Sequence, residues 1–268
     1  MTVIRVKNKI SAMERVGIAR DAKRPNVDFY IESLFTDFFE IKGDRLSNED
    51  ASIMGGIANY KGSPVTIIAN KKGSNLKENL KYNFGMPLPS GYRKVQRLAK
   101  QAEKFNRPII TFIDTPGAYP GVEAESQGQG EAIASCLALF SDIKVPVISI
   151  VIGEGGSGGA LAIGVCNHMM MLENAIYSIL SPEGFASILW KDAARKAEAA
   201  EIMKLTSYDL KELGVIDSII LEGEDGILNN KDFVIDQIKI ELNTWIEHYK
   251  DMSASALQNH RYERFRKF

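Results

Sequence analysis

The sequence is poor in cysteine, with only two such residues among 268. Cys136 and Cys166 each lie among apolar residues, and no Cys-x-x-Cys pair occurs anywhere in the chain. A four-cysteine zinc site therefore cannot form from this chain alone, and we expect it to bind no metal. Two thiols in apolar surroundings are typical of a protein from a reducing compartment.

The chain also lacks a strong net charge, because 33 basic and 34 acidic residues leave −1 at pH 7. No overall field therefore favours nucleic acid or an anionic membrane surface. The basic C-terminus, residues 260–268, is the local exception. We interpret it as a solvated helix end whose cations suit the helix dipole, and we predict no nucleic-acid partner.

Long apolar runs are absent as well. The longest one, 145–152, is far too short to span a bilayer. Residues 1–10 alternate basic and apolar side chains and contain no apolar core of a signal peptide. These features predict a cytoplasmic protein with no membrane contact.

The first strands that the sequence predicts form a hairpin. Residues 54–60 and 65–69 have the composition of strands and are joined by a Gly- and Pro-containing turn. Two adjacent strands argue against a simple alternating βαβ order. The all-apolar runs 108–113 and 145–152 are typical of strands that are covered on both faces.

Helical patterns dominate the two ends of the chain, over about 1–40 and about 228–268. A long basic loop is expected over 71–91. Since no internal repeat, low-complexity tract or linker is apparent, the sequence predicts a single domain over 1–268.

Two glycine-rich loops follow the two apolar strands. The first contains Gly117-Ala118-Tyr119, and the second, 153–159, reads GEGGSGG and opens a short helix. Glycine lets main-chain N–H groups approach a ligand closely, and a helix N-terminus favours negative charge. Because both loops leave the C-terminal ends of buried strands, their amides could form an oxyanion hole. Glycines that only permit close packing of helix on strand would explain the pattern equally well.

The second loop also matches a dinucleotide fingerprint. Gly153-x-Gly155-x-x-Gly158 follows a strand, and Glu173 lies at a suitable distance beyond it. The helix after the loop is, however, too short for the crossover that this motif requires. We consider NAD binding a weak alternative.

A nucleophile elbow is a further match, since Gly155-x-Ser157-x-Gly159 has the required spacing. Hydrolysis by Ser157 would need a histidine to accept its proton. The candidates are His168, His248 and His260.

Basic residues cluster over 71–94. Lys71, Lys72, Arg93 and Lys94 are candidate contacts for CoA phosphates or for an acidic carrier protein. A solvated loop face would explain such a charge run equally well, so both interpretations stay open.

Several runs are long enough to identify a family. They include FIDTPGAYPG at 112–121, NFGMP at 83–87 and the glycine segment within 152–164. Further matching runs lie at 44–45, 54–58, 91–94 and 178–190. Together they resemble the carboxyltransferase alpha subunit of bacterial acetyl-CoA carboxylase, from about residue 14 to 222 and more loosely to the C-terminus.

The resemblance implies an α/β fold of the crotonase/ClpP-like type, with repeated ββα units and helices at both ends. It implies transfer of a carboxyl group from carboxybiotin, held on a biotin carboxyl carrier protein, to acetyl-CoA, giving malonyl-CoA for fatty acid synthesis. It also implies an alpha2beta2 heterotetramer whose beta subunit carries a zinc ribbon and most of the CoA site. Biotin provides the base in such a reaction, so the protein needs none.

Specific site residues follow from the same resemblance. The amides of Gly158 and Gly159 are assigned to an oxyanion hole for the ureido oxygen of biotin. Further carboxybiotin contacts are expected from a group of loop residues. They are Gly155, Gly156, Gly117, Ala118 and Tyr119. Two other functions remain as alternatives, a crotonase-like hydrolase that uses Ser157 and a non-catalytic scaffold subunit.

Overall fold

The structure is a computed structural model that describes residues 10–46 and 48–268. Its strands are β1 (Thr36–Glu40), β2 (Ile53–Tyr60), β3 (Ser63–Asn70), β4 (Ile109–Thr115), β5 (Val147–Gly156), β6 (His168–Leu172), β7 (Ile176–Ser178) and β8 (Ser218–Ile220).

The α-helices, in chain order, are α1 (Ala12–Ala19), α2 (Val27–Leu34), α3 (Leu76–Lys81), α4 (Pro89–Lys104), α5 (Val122–Ser126), α6 (Gln129–Asp142), α7 (Ser157–Leu161), α8 (Pro182–Trp190), α9 (Lys196–Ile202), α10 (Ser207–Glu212), α11 (Lys231–Lys250) and α12 (Ala254–Phe265). Single 3-10 turns cover Asn83–Gly85 and Ala193–Arg195.

All the described strands join one mixed sheet with the order β1-β2-β3-β4-β5-β6-β8. The pairs β1–β2 and β2–β3 are antiparallel, and the pairs from β3 onward are parallel. Strand β7 pairs with the last residues of β5, beyond the end of β6. The predicted hairpin and both predicted apolar strands are therefore confirmed as β2–β3, β4 and β5.

The core lies on both faces of β4 and β5. Every residue of β5 is buried, and in β4 only Asp114 is partly exposed. Helix α4 packs on the neighbouring strands β2 and β3, and its residues Val95, Leu98 and Ala99 are not exposed to solvent. Burying a side chain of valine or leucine size contributes about 1.5–3 kcal/mol, so this layer stabilises the sheet.

The N-terminal segment is helical only in part. Ser11 caps α1 in a capping box with Glu14, and α2 follows. The predicted helical segment of about 1–40 is wrong at its end, because Thr36–Glu40 pairs with β2 as an edge strand. The beginning of that prediction, residues 1–9, lies outside the described residues.

The expected basic loop at 71–91 is also more ordered than predicted. It contains α3 and a 3-10 turn, and α4 begins at Pro89, a residue suited to the first helical position. At the other end of the chain, α11 and α12 occupy the predicted helical segment of about 228–268.

Candidate active site

The two glycine loops lie against each other at one edge of the sheet. Strands β4 and β5 are parallel neighbours, so their C-terminal ends and the loops after them share that edge. A Cβ atom placed on Gly159 would lie 2.6 Å from the amide nitrogen of Ala118. One placed on Gly156 would lie 2.1 Å from the carbonyl oxygen of Pro116. The backbones approach so closely that only glycine fits at these positions.

Ser157 has a left-handed conformation, with φ of 55°. This costs on the order of 1–3 kcal/mol for a residue other than glycine, and such strain concentrates at functional sites. The turn starts α7 and places the amides of Gly158 and Gly159 in its first turn, where N–H groups have no acceptor within the helix. Within the described residues, neither these amides nor that of Ala118 donates to a side chain or a loop carbonyl.

An apolar groove of about 470 Å³ begins at Ser157 and Gly158. It is lined by Ser157, Gly158, Leu161, Tyr177, Ser178, Ile179, Phe185, Met203, Leu210 and Val215. An apolar wall with a few aligned donors at one end is the usual construction of a small-molecule site. The groove suits a ligand with an apolar body and one strong acceptor oxygen.

Four charged side chains form a cluster beside the loops, which we call the Lys72 cluster. The ammonium of Lys72 lies 2.7 Å from Asp114 Oδ1 and 3.0 Å from Glu154 Oε2. The guanidinium of Arg20 lies 2.7 Å from Glu154 Oε1. The cluster contains two cations and two carboxylates, and Arg20 also pairs with Glu183 outside it, at 3.1 Å.

The ionisation of the cluster follows from these contacts. Burial alone would raise the pKa of Glu154, but the Lys72 and Arg20 charges outweigh it and lower that pKa. Burial alone would lower the pKa of Lys72, but Asp114 and Glu154 outweigh it and raise that pKa. Glu154 is therefore ionised at neutral pH, which makes it unsuited to act as a general acid.

Tyr119 is held at the rim of the first loop by main-chain contacts. Its N–H donates to the carbonyl of Pro87, at 3.0 Å. The side-chain amide of Gln129 donates to the carbonyls of both Pro87 and Tyr119, at 2.9 and 3.0 Å. Sequence reasoning missed Gln129, since an isolated glutamine at a helix start carries no pattern that would reveal this contact.

The four predicted basic contacts have different environments. Lys71 pairs with Asp28 at 2.8 Å, and Arg93 donates to the carbonyl of Gln127. Lys72 pairs with Asp114 and Glu154 in the Lys72 cluster. Lys94 is fully buried.

The ammonium of Lys94 bonds to a carboxylate oxygen of Glu49 and to the carbonyl of Asp50. A buried ammonium with these partners cannot meet a phosphate. The prediction of a CoA or carrier contact is therefore wrong for Lys94.

The histidines needed for the hydrolase alternative lie at the opposite edge of the sheet. His168 pairs in register with Ile148, near the start of β5. A strand rises about 3.3 Å per residue, so Ser157, which follows the other end of β5, lies roughly 30 Å from His168. His248 and His260 pack against an aromatic ring of α11 at that far edge. Ser157 thus has the strained turn of a nucleophile elbow, but none of the three histidines lies near it, which argues against hydrolysis by Ser157.

The dinucleotide alternative fails on two observations. Helix α7 has only five residues, too few for a crossover helix. The carboxylate of Glu173 is already engaged, because it accepts hydrogen bonds from Tyr208 Oη and from the amide of Glu222.

Neither a metal site nor a membrane span emerges from the described part of the chain. No group of three or more His, Cys, Asp or Glu side chains within it could hold a metal ion. None of its helices is both long enough and apolar enough to cross a bilayer. Cys136 and Cys166 are both buried and unpaired.

Comparison with known proteins identifies close relatives. The family model of acetyl co-enzyme A carboxylase carboxyltransferase-like proteins matches residues 2–268. The acetyl-coenzyme A carboxylase carboxyl transferase subunit alpha of Bacillus cereus (strain G9842) is 55% identical over 262 residues, which are 98% of this chain and 81% of that protein. The subunit of the same name from Clostridium botulinum (strain Eklund 17B / Type B) is 54% identical over 257 residues, 96% of this chain and 94% of that protein.

Solved structures share the fold at low identity. A chain of transcarboxylase 12S matches with a TM-score of 0.69 and 21% identity, over 86% of this chain and 42% of that chain. The beta subunit of geranyl-CoA carboxylase from P. aeruginosa matches with a TM-score of 0.63 and 17% identity, over 93% and 46%. A chain of a Pseudomonas malonate decarboxylase hetero-tetramer in complex with coenzyme A matches with a TM-score of 0.65 and 16% identity, over 80% of this chain and 86% of that chain. The predicted crotonase-like α/β fold is confirmed.

Proposed function

We propose that this chain, which belongs to the acetyl-CoA carboxylase carboxyltransferase alpha family, holds carboxybiotin while its carboxyl group passes to acetyl-CoA to give malonyl-CoA. One observation carries the proposal: Gly158 lines the apolar groove, and the adjacent Gly159 lies against the first glycine loop, with both amides in the first turn of α7. The carboxyltransferase activity agrees with the names of its relatives at 54–55% identity.

The residues at the groove fit carboxybiotin. Its ureido oxygen would accept from the amides of Gly158 and Gly159, and its apolar ring would lie along the groove. Gly155 and Gly156, the last residues of β5, would lie next to these amides. The first loop, Gly117 to Tyr119, would be the facing wall.

The chemistry divides between the ligand and the chain. When bound, carboxybiotin supplies both the carboxyl group and the base for the methyl group of the acetyl thioester. The chain supplies preorganised amides that stabilise negative charge on the ureido oxygen, each worth on the order of 3 kcal/mol. No ionisable side chain of this chain is required at the reacting atoms.

A second subunit completes the site in this proposal. We infer an alpha2beta2 heterotetramer in which the beta subunit carries a zinc ribbon and most of the CoA site, and a biotin carboxyl carrier protein delivers carboxybiotin. Ile179 lines the groove and is an exposed apolar side chain, which supports a subunit contact there. Lys71 and Arg93 remain candidates for contact with CoA or the carrier.

The same inference extends to domain organisation and location. The larger of two clusters of buried apolar side chains extends from Val27 to Leu242, and the smaller one packs α1 against β7 and α9, which supports one domain over 1–268. Two buried, unpaired thiols support a reducing compartment, and we propose the cytoplasm.

Reconstitution tests the proposed function. We expect malonyl-CoA to form when this chain is combined with a zinc-ribbon beta chain, acetyl-CoA and the carboxylated carrier protein. Either chain alone should give no turnover above background, because each supplies only part of the site. Product formation is followed by chromatography of the CoA esters. Full activity of this chain without a beta chain, or none with it, would contradict the proposal.

A further inference from the structure

We propose that Lys72 is a positioning residue that fixes the spacing of the two glycine loops, an inference that rests on the proposed function. Lys72 lies just beyond β3, while Asp114 lies near the end of β4 and Glu154 near the end of β5. The Lys72 ammonium contacts both carboxylates, at 2.7 and 3.0 Å. One cation thereby links the ends of three neighbouring strands beside the oxyanion site.

Each carboxylate is in turn tied to a glycine loop. Asp114 Oδ1 accepts the N–H of Glu154 at 3.0 Å, so it holds the backbone that leads into the second loop. A Cβ atom on Gly153 would lie 2.4 Å from that same oxygen. Asp114 itself stands three residues before Gly117. A shift of either carboxylate would therefore move the main chain that carries the amides.

Lys72 is needed because Arg20 cannot replace it. Arg20 bonds to Glu154 but makes no ion pair with Asp114 within the described residues. Without Lys72, two carboxylates would face each other in a poorly solvated place, beside a site that must hold a developing negative charge. Their repulsion would push the loops apart, and their field would oppose the oxyanion.

The backbone at residues 83–85 also packs closely against the aliphatic part of the Lys72 side chain. Three consecutive residues, Asn83, Phe84 and Gly85, have positive φ values of 48°, 54° and 78°. A Cβ on Gly85 would lie 2.7 Å from Cγ of Lys72. Strain of this kind persists only where the surroundings impose it. It holds the Lys72 side chain in its position between the carboxylates.

The test is Lys72→Met in the reconstituted complex. We expect kcat to fall about 100-fold, since a misplacement near 1 Å is enough for such a loss. The KM for acetyl-CoA should change less than about threefold, because the acyl-CoA side of the site is not involved. Hydrogen–deuterium exchange of peptides that cover 150–161 should become faster.

A double variant separates positioning from simple destabilisation. Lys72→Met combined with Asp114→Asn removes the unbalanced carboxylate, and the asparagine oxygen can still accept the Glu154 N–H. We expect it to recover at least about tenfold in kcat over Lys72→Met, while remaining below the wild type because the bridge is missing. If the single variant does not assemble, wild-type turnover and exchange in the double variant would overturn the proposal.

The matched control is Arg261→Met. Arg261 is more deeply buried than Lys72, whose side chain is 19% exposed, and it lies at the opposite edge of the sheet, where it bonds to Val145 O and Asn167 Oδ1. It should lower the melting temperature without changing kcat or the exchange of 150–161. If Lys72→Met behaves the same way, Lys72 is only structural and the inference fails. A wild-type complex without turnover would instead overturn the proposed function.

Discussion

Replacing Gly159 by alanine is expected to lower the kcat of the reconstituted complex at least 100-fold. The added Cβ would lie 2.6 Å from both the amide nitrogen of Ala118 and the carbonyl carbon of Gly117. These are backbone atoms, so the two glycine loops must separate, and the amides of the oxyanion site lose their alignment. The measurement is steady-state malonyl-CoA formation, with complex assembly checked by size-exclusion chromatography.

Gly17→Ala provides the control for this substitution. Gly17 lies within α1, and nothing is found within 4 Å of its added Cβ. We expect normal turnover and a gain of about 0.5–1 kcal/mol in stability, because alanine favours the helix. A Gly159→Ala complex that assembles and retains more than a tenth of wild-type kcat would favour the alternative of a scaffold subunit.

Replacing Arg24 by methionine is expected to lower the free energy of unfolding by about 3–5 kcal/mol at neutral pH. The Arg24 guanidinium bonds to both carboxylate oxygens of Glu222, at 2.6 and 3.0 Å, and to the carbonyl of Ile152. Both side chains are buried. Removing the cation leaves an uncompensated carboxylate in the interior, and denaturant unfolding followed by circular dichroism measures the loss.

The pH dependence identifies the cause of that loss. Burial alone would raise the pKa of Glu222, but Arg24 and the Asn174 amides outweigh it and hold the pKa below its ordinary 4.5. The ion pair therefore contributes stability above pH 4.5 and loses it as pH falls through the lowered pKa. The deficit of Arg24→Met should shrink below pH 4.5. A deficit that is independent of pH would mean lost packing alone.

An exposed ion pair provides the comparison for Arg24. Lys250 pairs with Glu247 on α11, and both side chains are more than half exposed. Lys250→Met should change the free energy of unfolding by less than about 0.5 kcal/mol at any pH. A loss as large as that of Arg24→Met would show that burial of the pair is not what sets its contribution.

The central strands are predictable because continuous runs of apolar residues mark them in the sequence. The apolar runs that become β4 and β5 are continuous, since both faces of these strands are buried. Parallel neighbours place their following loops at the same edge, so the convergence of the two glycine loops follows from strand order. The Cβ distances at Gly156 and Gly159 agree with that expectation.

Other features depend on distant partners and therefore escape sequence reasoning. Thr36–Glu40 forms a strand because β2 offers an edge for pairing. In the sequence, Lys72 and Lys94 resemble solvated loop cations. Their carboxylate partners are distant in the chain, since Asp114 is 42 positions from Lys72 and Glu49 is 45 positions from Lys94. Charged residues at the ends of apolar strands, such as Asp114 and Glu154, were the available signal for the cluster.

We assign the amides of Gly158 and Gly159 to binding of the ureido oxygen of biotin. A crystal structure of the heterotetramer with biotin bound tests it most directly. We predict that the ureido oxygen lies about 2.7–3.1 Å from at least one of these two amide nitrogens, with the ring in the apolar groove. Biotin bound elsewhere, or a beta subunit whose own acceptors occupy both amides, would rule this assignment out.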